Sequence, residues 1–241
     1  MMFKFNFERD MASLREEYVR DAKINIQDVW LNDTAEAIAK TLSTEVIFDN
    51  AMFVENKPMR ISDQQIRQLS VETQKDLQQK ILQNASNGIG FLYGSHLVGG
   101  LDGKPSPELL TSLHRFLNSP EMFKFIQTIT GIEGICYASL QASRYIQGNF
   151  LTRHNDVVES EGRKVAFVFG FTPEWHPDWG GLLQFFTPKG VLTDTWVPTF
   201  NNLALFDVHH PHSVSFVAPF AKRPRFSVTG WFRTIAPAKL T

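Results

Sequence analysis

Residues 225–232 read Arg225-Phe226-Ser227-Val228-Thr229-Gly230-Trp231-Phe232. Successive side chains of a strand point to opposite faces, so Arg225, Ser227, Thr229 and Trp231 share one face while Phe226, Val228 and Phe232 share the other. Two architectures accommodate this. In a half-solvated antiparallel sheet the polar face meets water. In a closed barrel it points inward, and a buried guanidinium there requires an anion, which a dicarboxylate could supply in bidentate geometry. The surrounding sequence has the same texture. From about Ile135 onward, short runs rich in Val, Phe and Thr at 137–145, 164–171, 182–186, 203–208, 213–217 and 226–232 are separated by Gly, Pro, Asn and Asp, the pattern of strands and turns.

Upstream the pattern is helical. Asn32 or Asp33 can cap a helix carrying Ala35, Ile38, Ala39 and Leu42, and Ser62 or Asp63 a longer one carrying Ile66, Leu69, Leu77 and Ile81. Gln is frequent in the second, as expected of a solvated face. Ser106-Pro107 and Ser119-Pro120 announce two more helices, the last ending at Gly131. No repeat or linker divides the chain. The expectation is one domain, 1–241: mostly helical support over 1–134, packed outside a mainly β core over 135–241 that forms an antiparallel sandwich or barrel.

Composition narrows the partners. Twenty-four Lys and Arg against 25 Asp and Glu give a net charge of -1, so no broad cationic field exists for nucleic acid or a membrane surface. No apolar run approaches the roughly 20 residues that cross a bilayer, and the charged start lacks the apolar stretch of a signal peptide. The single cysteine, Cys136, cannot form an internal disulfide and is expected to be a small buried hydrophobe. A reducing cytoplasm is the expected location. The stretch Gly99-Gly100-Leu101-Asp102-Gly103-Lys104 fails as a phosphate loop, because Val98 and Pro105 stand where a glycine and a Ser or Thr are needed. It reads as a flexible connection.

Seven histidines are present, and position separates them. His154 and Asp156 are one residue apart, so an extended 151–156 aims both at one point, with Asn155 turned away. A third His with open positions would complete a two-His, one-carboxylate set suited to Fe(II). His212 enters a strand in phase with Val214 and Phe216, whereas His209 and His210 precede Pro211 in a turn, so His212 is the choice. His176, in the loop 173–180, is expected at a pocket rim. His96 and His114 are expected to do neither.

Taken together, the segments FKFIQTITGIE, SRYIQGNFLTRHND, GRKVAFVFGFTPEW, WGGLLQFF, NNLALFDV, PHSV and RFSVTGWF resemble the prolyl-hydroxylase branch of the 2-oxoglutarate and Fe(II)-dependent dioxygenases, nearest the hypoxia-sensing and ribosomal-protein enzymes. The resemblance implies a double-stranded β-helix, or cupin-like jelly roll. It implies His154, Asp156 and His212 as iron ligands, Arg225 as anchor for 2-oxoglutarate, and Thr229 and Tyr145 lining that pocket. The implied reaction hydroxylates a prolyl carbon of a protein or peptide and releases succinate and carbon dioxide; ascorbate is a further cofactor that the resemblance allows. The same chemistry on a free amino acid or other small molecule, a cupin-like metal barrel without oxygenase activity and a zinc hydrolase are the competing readings. Two departures stand out. Gly170 occupies the place of a tyrosine that bonds the co-substrate in similar sequences, and the second barrel of the ribosomal-protein enzymes is not expected within these 241 residues. Phe150, Phe167, Phe169 and Trp231 are expected as dry walls, and the loops 157–162 and 173–180 as substrate contacts.

Overall fold

The computed structural model describes residues 3–31, 33–99 and 104–237. Its N-terminal part runs α1 (Met11–Asp21), β1 (Lys23–Gln27), α2 (Thr34–Thr44), β2 (Asp49–Val54), β3 (Lys57–Ser62), α3 (Asp63–Gln68), α4 (Val71–Ser86), β4 (Phe91–Leu97), α5 (Glu108–Leu117) and α6 (Pro120–Thr130). Strands then follow: β5 (Tyr137–Ala138), β6 (Gln141–Tyr145), β7 (Phe150–His154), β8 (Arg163–Gly170), β9 (Leu183–Phe186), β10 (Leu192–Trp196), β11 (Asn202–Asp207), β12 (His212–Val214) and β13 (Arg225–Arg233). All belong to one curled antiparallel sheet, whose main path is β1-β11-β8-β13-β6-β4-β7-β12-β9-β10.

Local chemistry explains the helix ends. Ser119 accepts a hydrogen bond from the Met122 amide, Pro120 opens α6, and Gly131 closes it at φ 72°, a left-handed conformation glycine adopts freely. The single helix expected after Ser62 is two. Ser62 and Gln65 form a reciprocal capping box for α3, Leu69 is extended, and the Ser70 side chain caps α4 through the Thr73 amide. Asp33 stands at the α2 N-terminus without a side-chain cap bond; Asn32 and residues 100–103 lie outside the described residues.

Four strands of the N-terminal part were not expected. β1 extends the sheet beside β11, while β2, β3 and β4 extend it beside β6 and β7. In the C-terminal part β12 stops at Val214, and Phe216 is exposed rather than in phase with the strand. Cys136 is exposed, contrary to expectation. Its amide bonds the Arg233 carbonyl at the end of β13, which places it at the margin of the sheet.

The sheet has two differently used faces. Val165, Phe167 and Phe169 of β8, Leu203 and Leu205 of β11, and Val228 and Phe232 of β13 pack against helix residues including Tyr18, Ile38, Leu113 and Ile126. The alternate residues Ala166, Leu183, Phe185, Ala204 and Phe206, with Val168 and Trp231, face the inside of the curl. Phe169 therefore belongs to the helix-packed core and not to the inner walls, Phe167 packs in that core and also lines the cavity, and Phe150 packs with Met52, Val54 and Ile81 near α4. Of the expected four, Trp231 and Phe167 line the cavity. No helix among the described residues is long and apolar enough to cross a membrane.

Burying a large apolar side chain stabilises by about 1.5–3 kcal/mol, and removing one leaves a cavity as well. Phe169 is fully buried against Phe5, Trp30 and Phe167. Phe169→Ala is expected to lose about 3–5 kcal/mol in denaturant unfolding; a loss under about 1 kcal/mol would mean this face is not the core.

Candidate active site

β7 and β12 are antiparallel neighbours, and His154 of β7 pairs directly with His212 of β12. Residues opposite one another on such a ladder share a face. The two imidazoles meet with ring centroids 4.3 Å apart. Asp156 follows where the chain leaves β7, its amide donating to the Val208 carbonyl at 2.9 Å. Its carboxylate lies 3.6 Å from His154 Nε2 and 3.5 Å from His212 Nε2. One ligand atom from each of the three falls within 4.8 Å of the others.

The donor set fits a divalent metal in a further respect. His154 Nδ1 is 2.9 Å from the Thr152 carbonyl and His212 Nδ1 is 2.9 Å from the His210 carbonyl. Each Nδ1 must carry the proton to make that bond, which leaves both Nε2 lone pairs aimed at Asp156. Burial, offset in part by the Asp156 charge, pushes the His212 imidazole down to about 4, so it is neutral at pH 7. Burial opposes charge on His154 too, but the hydrogen bond and charge of Asp156 outweigh it and raise its pKa. Asp156 resists burial through His154, His212 and the Trp231 indole, and its pKa is lowered.

The other histidines are occupied elsewhere. His209 is exposed with Nδ1 2.7 Å from Asp207, and His210 Nε2 is 3.0 Å from the Asp21 carbonyl. His176 accepts from the Asp178 amide and closes the turn Pro177–Trp179. His96 is buried between the Ile47 carbonyl and Ser106, and His114 meets the Ala138 carbonyl.

The trio opens onto a cavity of about 890 Å³ that also contains Arg225, Tyr145 and Thr229. Arg225, at the start of β13, is 4% exposed and donates to the Gly181 carbonyl at 2.8 Å. Its Nε has no partner, and no carboxylate pairs with it among the described residues. Such a buried cation is strongly disfavoured unless an anion reaches it. Arg225 pairs with Tyr145 across β6, its guanidinium 5.2 Å from the ring centroid. Tyr93 of β4 stacks on Tyr145 at 5.3 Å and 12°. Burial raises the Tyr145 pKa, so its hydroxyl stays protonated as a donor. Ser143, Ser227 and Thr229 complete the polar floor, with Ser143 Oγ 3.4 Å from Thr229 Oγ1.

Tyr93, Gln141 and Ser143 were missed by the sequence reading. The alternation of Phe91, Tyr93 and Ser95 was the signal for Tyr93, interrupted by Gly94. At Gly170 a Cβ would collide with the Asn202 side chain and the Thr199 carbonyl, so β11 excludes any tyrosine there. The loop 173–180 lies outside the cavity lining. Trp175 instead bonds the Gly180 carbonyl and packs with Tyr145, Val214 and Val217, bracing the Arg225 end from behind. Of the loop 157–162, Val158 reaches the cavity.

Comparison with known proteins gives these residues a context. Residues 140–233 match the 2OG-Fe(II) oxygenase superfamily. The Prolyl 3-hydroxylase OGFOD1 of Xenopus laevis is 32% identical over 116 residues, 45% of this chain and 22% of that protein. The Mus musculus protein of the same name is 29% identical over 149 residues, 58% of this chain and 26% of that one. The chain thus matches about a quarter of the length of these relatives. Among solved structures, a Trichoplax adhaerens prolyl hydroxylase, in complex with a hypoxia inducible factor peptide fragment, has a TM-score of 0.62 at 19% identity, covering 95% of this chain and 91% of that one. That likeness establishes the double-stranded β-helix fold.

The matched segment, 140–233, carries the trio and Arg225 and is similar to the 2OG-Fe(II) oxygenase superfamily. It is similar to the prolyl-hydroxylase branch of that superfamily, and the family implies Fe(II) and 2-oxoglutarate.

The His212 shift sets a pH dependence. A buried imidazole with a lowered pKa is protonated in the unfolded chain before the folded one, so stability falls as pH drops from about 6.5 towards about 4. The raised pKa of His154 acts in the opposite direction, and comparison with His212→Asn isolates the His212 contribution. Urea unfolding of the metal-free protein between pH 7 and 4.5 is expected to show a decline that His212→Asn reduces. Identical profiles for the two proteins would contradict the assignment.

Proposed function

We propose that the chain is an Fe(II)- and 2-oxoglutarate-dependent dioxygenase that hydroxylates a carbon of a prolyl residue in a protein or peptide, releasing succinate and carbon dioxide. The observation that carries this reading is Arg225: a buried guanidinium without a carboxylate partner among the described residues, in the same cavity as the trio. A metal-binding barrel alone has no use for it. A zinc hydrolase would need a general base beside the metal, and among the described residues lining the cavity Asp156 is the sole carboxylate, already a member of the trio.

In this reading His154, Asp156 and His212 hold the metal and leave coordination positions open. When bound, Fe(II) supplies the redox chemistry that couples dioxygen to oxidative decarboxylation of the co-substrate. Arg225 would take the remote carboxylate of 2-oxoglutarate, with the Tyr145 and Thr229 hydroxyls as further donors, the role that Gly170 cannot fill. Ala166, Val168, Leu183, Phe206 and Trp231 exclude water around the reacting carbon. Residues 1–241 act as one domain, in which 1–134 support the barrel and also lend Pro58, Phe91 and Tyr93 to the cavity wall. The prolyl substrate rests on the names of the curated relatives and on the segments around His154 and Arg225.

Arg225→Ala is expected to weaken 2-oxoglutarate binding by about 30-fold or more while metal binding persists, since breaking a buried charge pair costs roughly 2–5 kcal/mol. Unchanged co-substrate affinity would refute the anchor. For the substrate, the measurement is mass spectrometry of lysate proteins incubated with the enzyme. The expected result is a gain of one oxygen on proline that requires both Fe(II) and 2-oxoglutarate; turnover of free L-proline with none of any prolyl peptide would establish the small-molecule reading instead.

A further inference from the structure

Tyr145 has two tasks that must be met by one ring orientation. In the reading above its hydroxyl serves the co-substrate, while its ring lies 5.2 Å from the Arg225 guanidinium. Arg225 is buried, donates to the Gly181 carbonyl and has no carboxylate beside it among the described residues. An aromatic face attracts a desolvated cation, so this contact holds the guanidinium in place before any anion arrives. Both tasks fix the plane of the ring. Yet a tyrosine ring turns easily about its Cβ–Cγ bond unless a neighbour stops it.

Tyr93 is that neighbour. β6 runs between β13 and β4, so Tyr145 has Arg225 on one side and β4 on the other. Gly94 pairs with Arg144, which brings Tyr93 beside Tyr145, and the two rings stack at 5.3 Å with their planes 12° apart. A near-parallel ring blocks rotation of its partner, whereas an aliphatic side chain fills the space without setting a plane. The register is secured from the outer face of the sheet. Gly94 has no side chain there; Arg144 lies against the place its Cβ would take, and Arg144 Nη2 reaches Asp63, at the start of α3, at 3.2 Å. Trp175, Val214 and Val217 complete the packing around Tyr145.

Building on the co-substrate reading above, we infer that Tyr93 is a positioning residue for 2-oxoglutarate that acts through Tyr145. Its ring holds the face of Tyr145 to Arg225 and the Tyr145 hydroxyl to the ligand, and so compensates for the tyrosine that Gly170 excludes. The dicarboxylate then meets a guanidinium and a hydroxyl already in place. Groups ordered before binding need not be ordered during it, which strengthens the complex.

The test is an anaerobic calorimetric titration of the Fe(II)-loaded protein with 2-oxoglutarate, with Fe(II) affinity measured alongside. Tyr93→Phe keeps the ring and is expected to bind 2-oxoglutarate within about 2-fold of wild type. Tyr93→Leu keeps the bulk without the plane. It is expected to raise the 2-oxoglutarate dissociation constant about 5-fold, the scale of a lost aromatic pair, with Fe(II) affinity unchanged. In a Tyr145→Leu background the same substitution is expected to add nothing, because the residue it acts through is gone. Wild-type affinity in Tyr93→Leu overturns the inference. So does an equal loss in Tyr93→Phe, which would make the Tyr93 hydroxyl a direct donor, and so does full additivity with Tyr145→Leu or a matching loss of Fe(II) affinity, the marks of general loosening. Should Tyr93→Leu fail to fold, Tyr93→Met, flexible enough to fill the gap, takes its place with the same expectation. Arg225→Ala separates this failure from a wider one. If that variant binds 2-oxoglutarate like the wild type, the co-substrate reading itself is wrong; if it loses affinity while the Tyr93 variants do not, only the role of Tyr93 falls.

Discussion

The register of β7 against β12 is the constraint on which the site depends. It sets His154 across the ladder from His212, and because side chains alternate with a period of two, a slip of one residue would send one imidazole to the opposite face. β12 has only three residues, too few to hold a register by its own bonds. Its other neighbour supplies the rest: β9 pairs with it along its whole length, His212 opposite Phe185, and Phe185 is fully buried within the curl. The packing of a phenylalanine thereby fixes the direction of a candidate metal ligand.

A second constraint is the separation of the sheet's faces. One face of β8, β11 and β13 carries Phe, Leu and Val against the helices, and the other carries Ala, Ser, Thr and the cation Arg225 around the cavity. The helices contribute nothing to the trio directly. They absorb the large apolar face, which lets the opposite face carry small and polar groups at its centre. Stability and chemistry are thus assigned to alternate residues of the same strands, and Phe169 and Val168 are neighbours in sequence with unrelated roles.

Residues that declare themselves by alternation or by a short motif were readable from sequence. The faces of 225–232, the shared direction of His154 and Asp156, and the Ser-Pro starts of α5 and α6 are all set by local geometry. What was hidden depends on tertiary pairing. β1 and β2 to β4 are short strands set among helices, and β4 is broken by Gly94, so the period that would reveal Tyr93 covers too few residues. The break between α3 and α4 turns on Ser70 capping a new helix inside a continuing apolar pattern. Which face of β8 meets the cavity cannot be told from Val165-Ala166-Phe167-Val168-Phe169 alone, since both faces are apolar; of the two aromatics assigned to the wall the helices claim Phe169, while Phe167 packs on them and also lines the cavity. Trp175 and Trp179 read as substrate contacts because exposed loops often bear them, yet Trp175 is buried behind Tyr145.

In the proposed function one cavity takes both a divalent metal and a 2-oxo dicarboxylate. The direct measurement is an anaerobic Fe(II) titration of the protein with and without 2-oxoglutarate, read by visible absorption. The expected result is a weak band that requires metal and co-substrate together, saturates at one equivalent of Fe(II) per chain, and is absent from His212→Ala. A protein that binds Fe(II) with no band at any concentration of 2-oxoglutarate, or one whose band survives in His212→Ala, would contradict it.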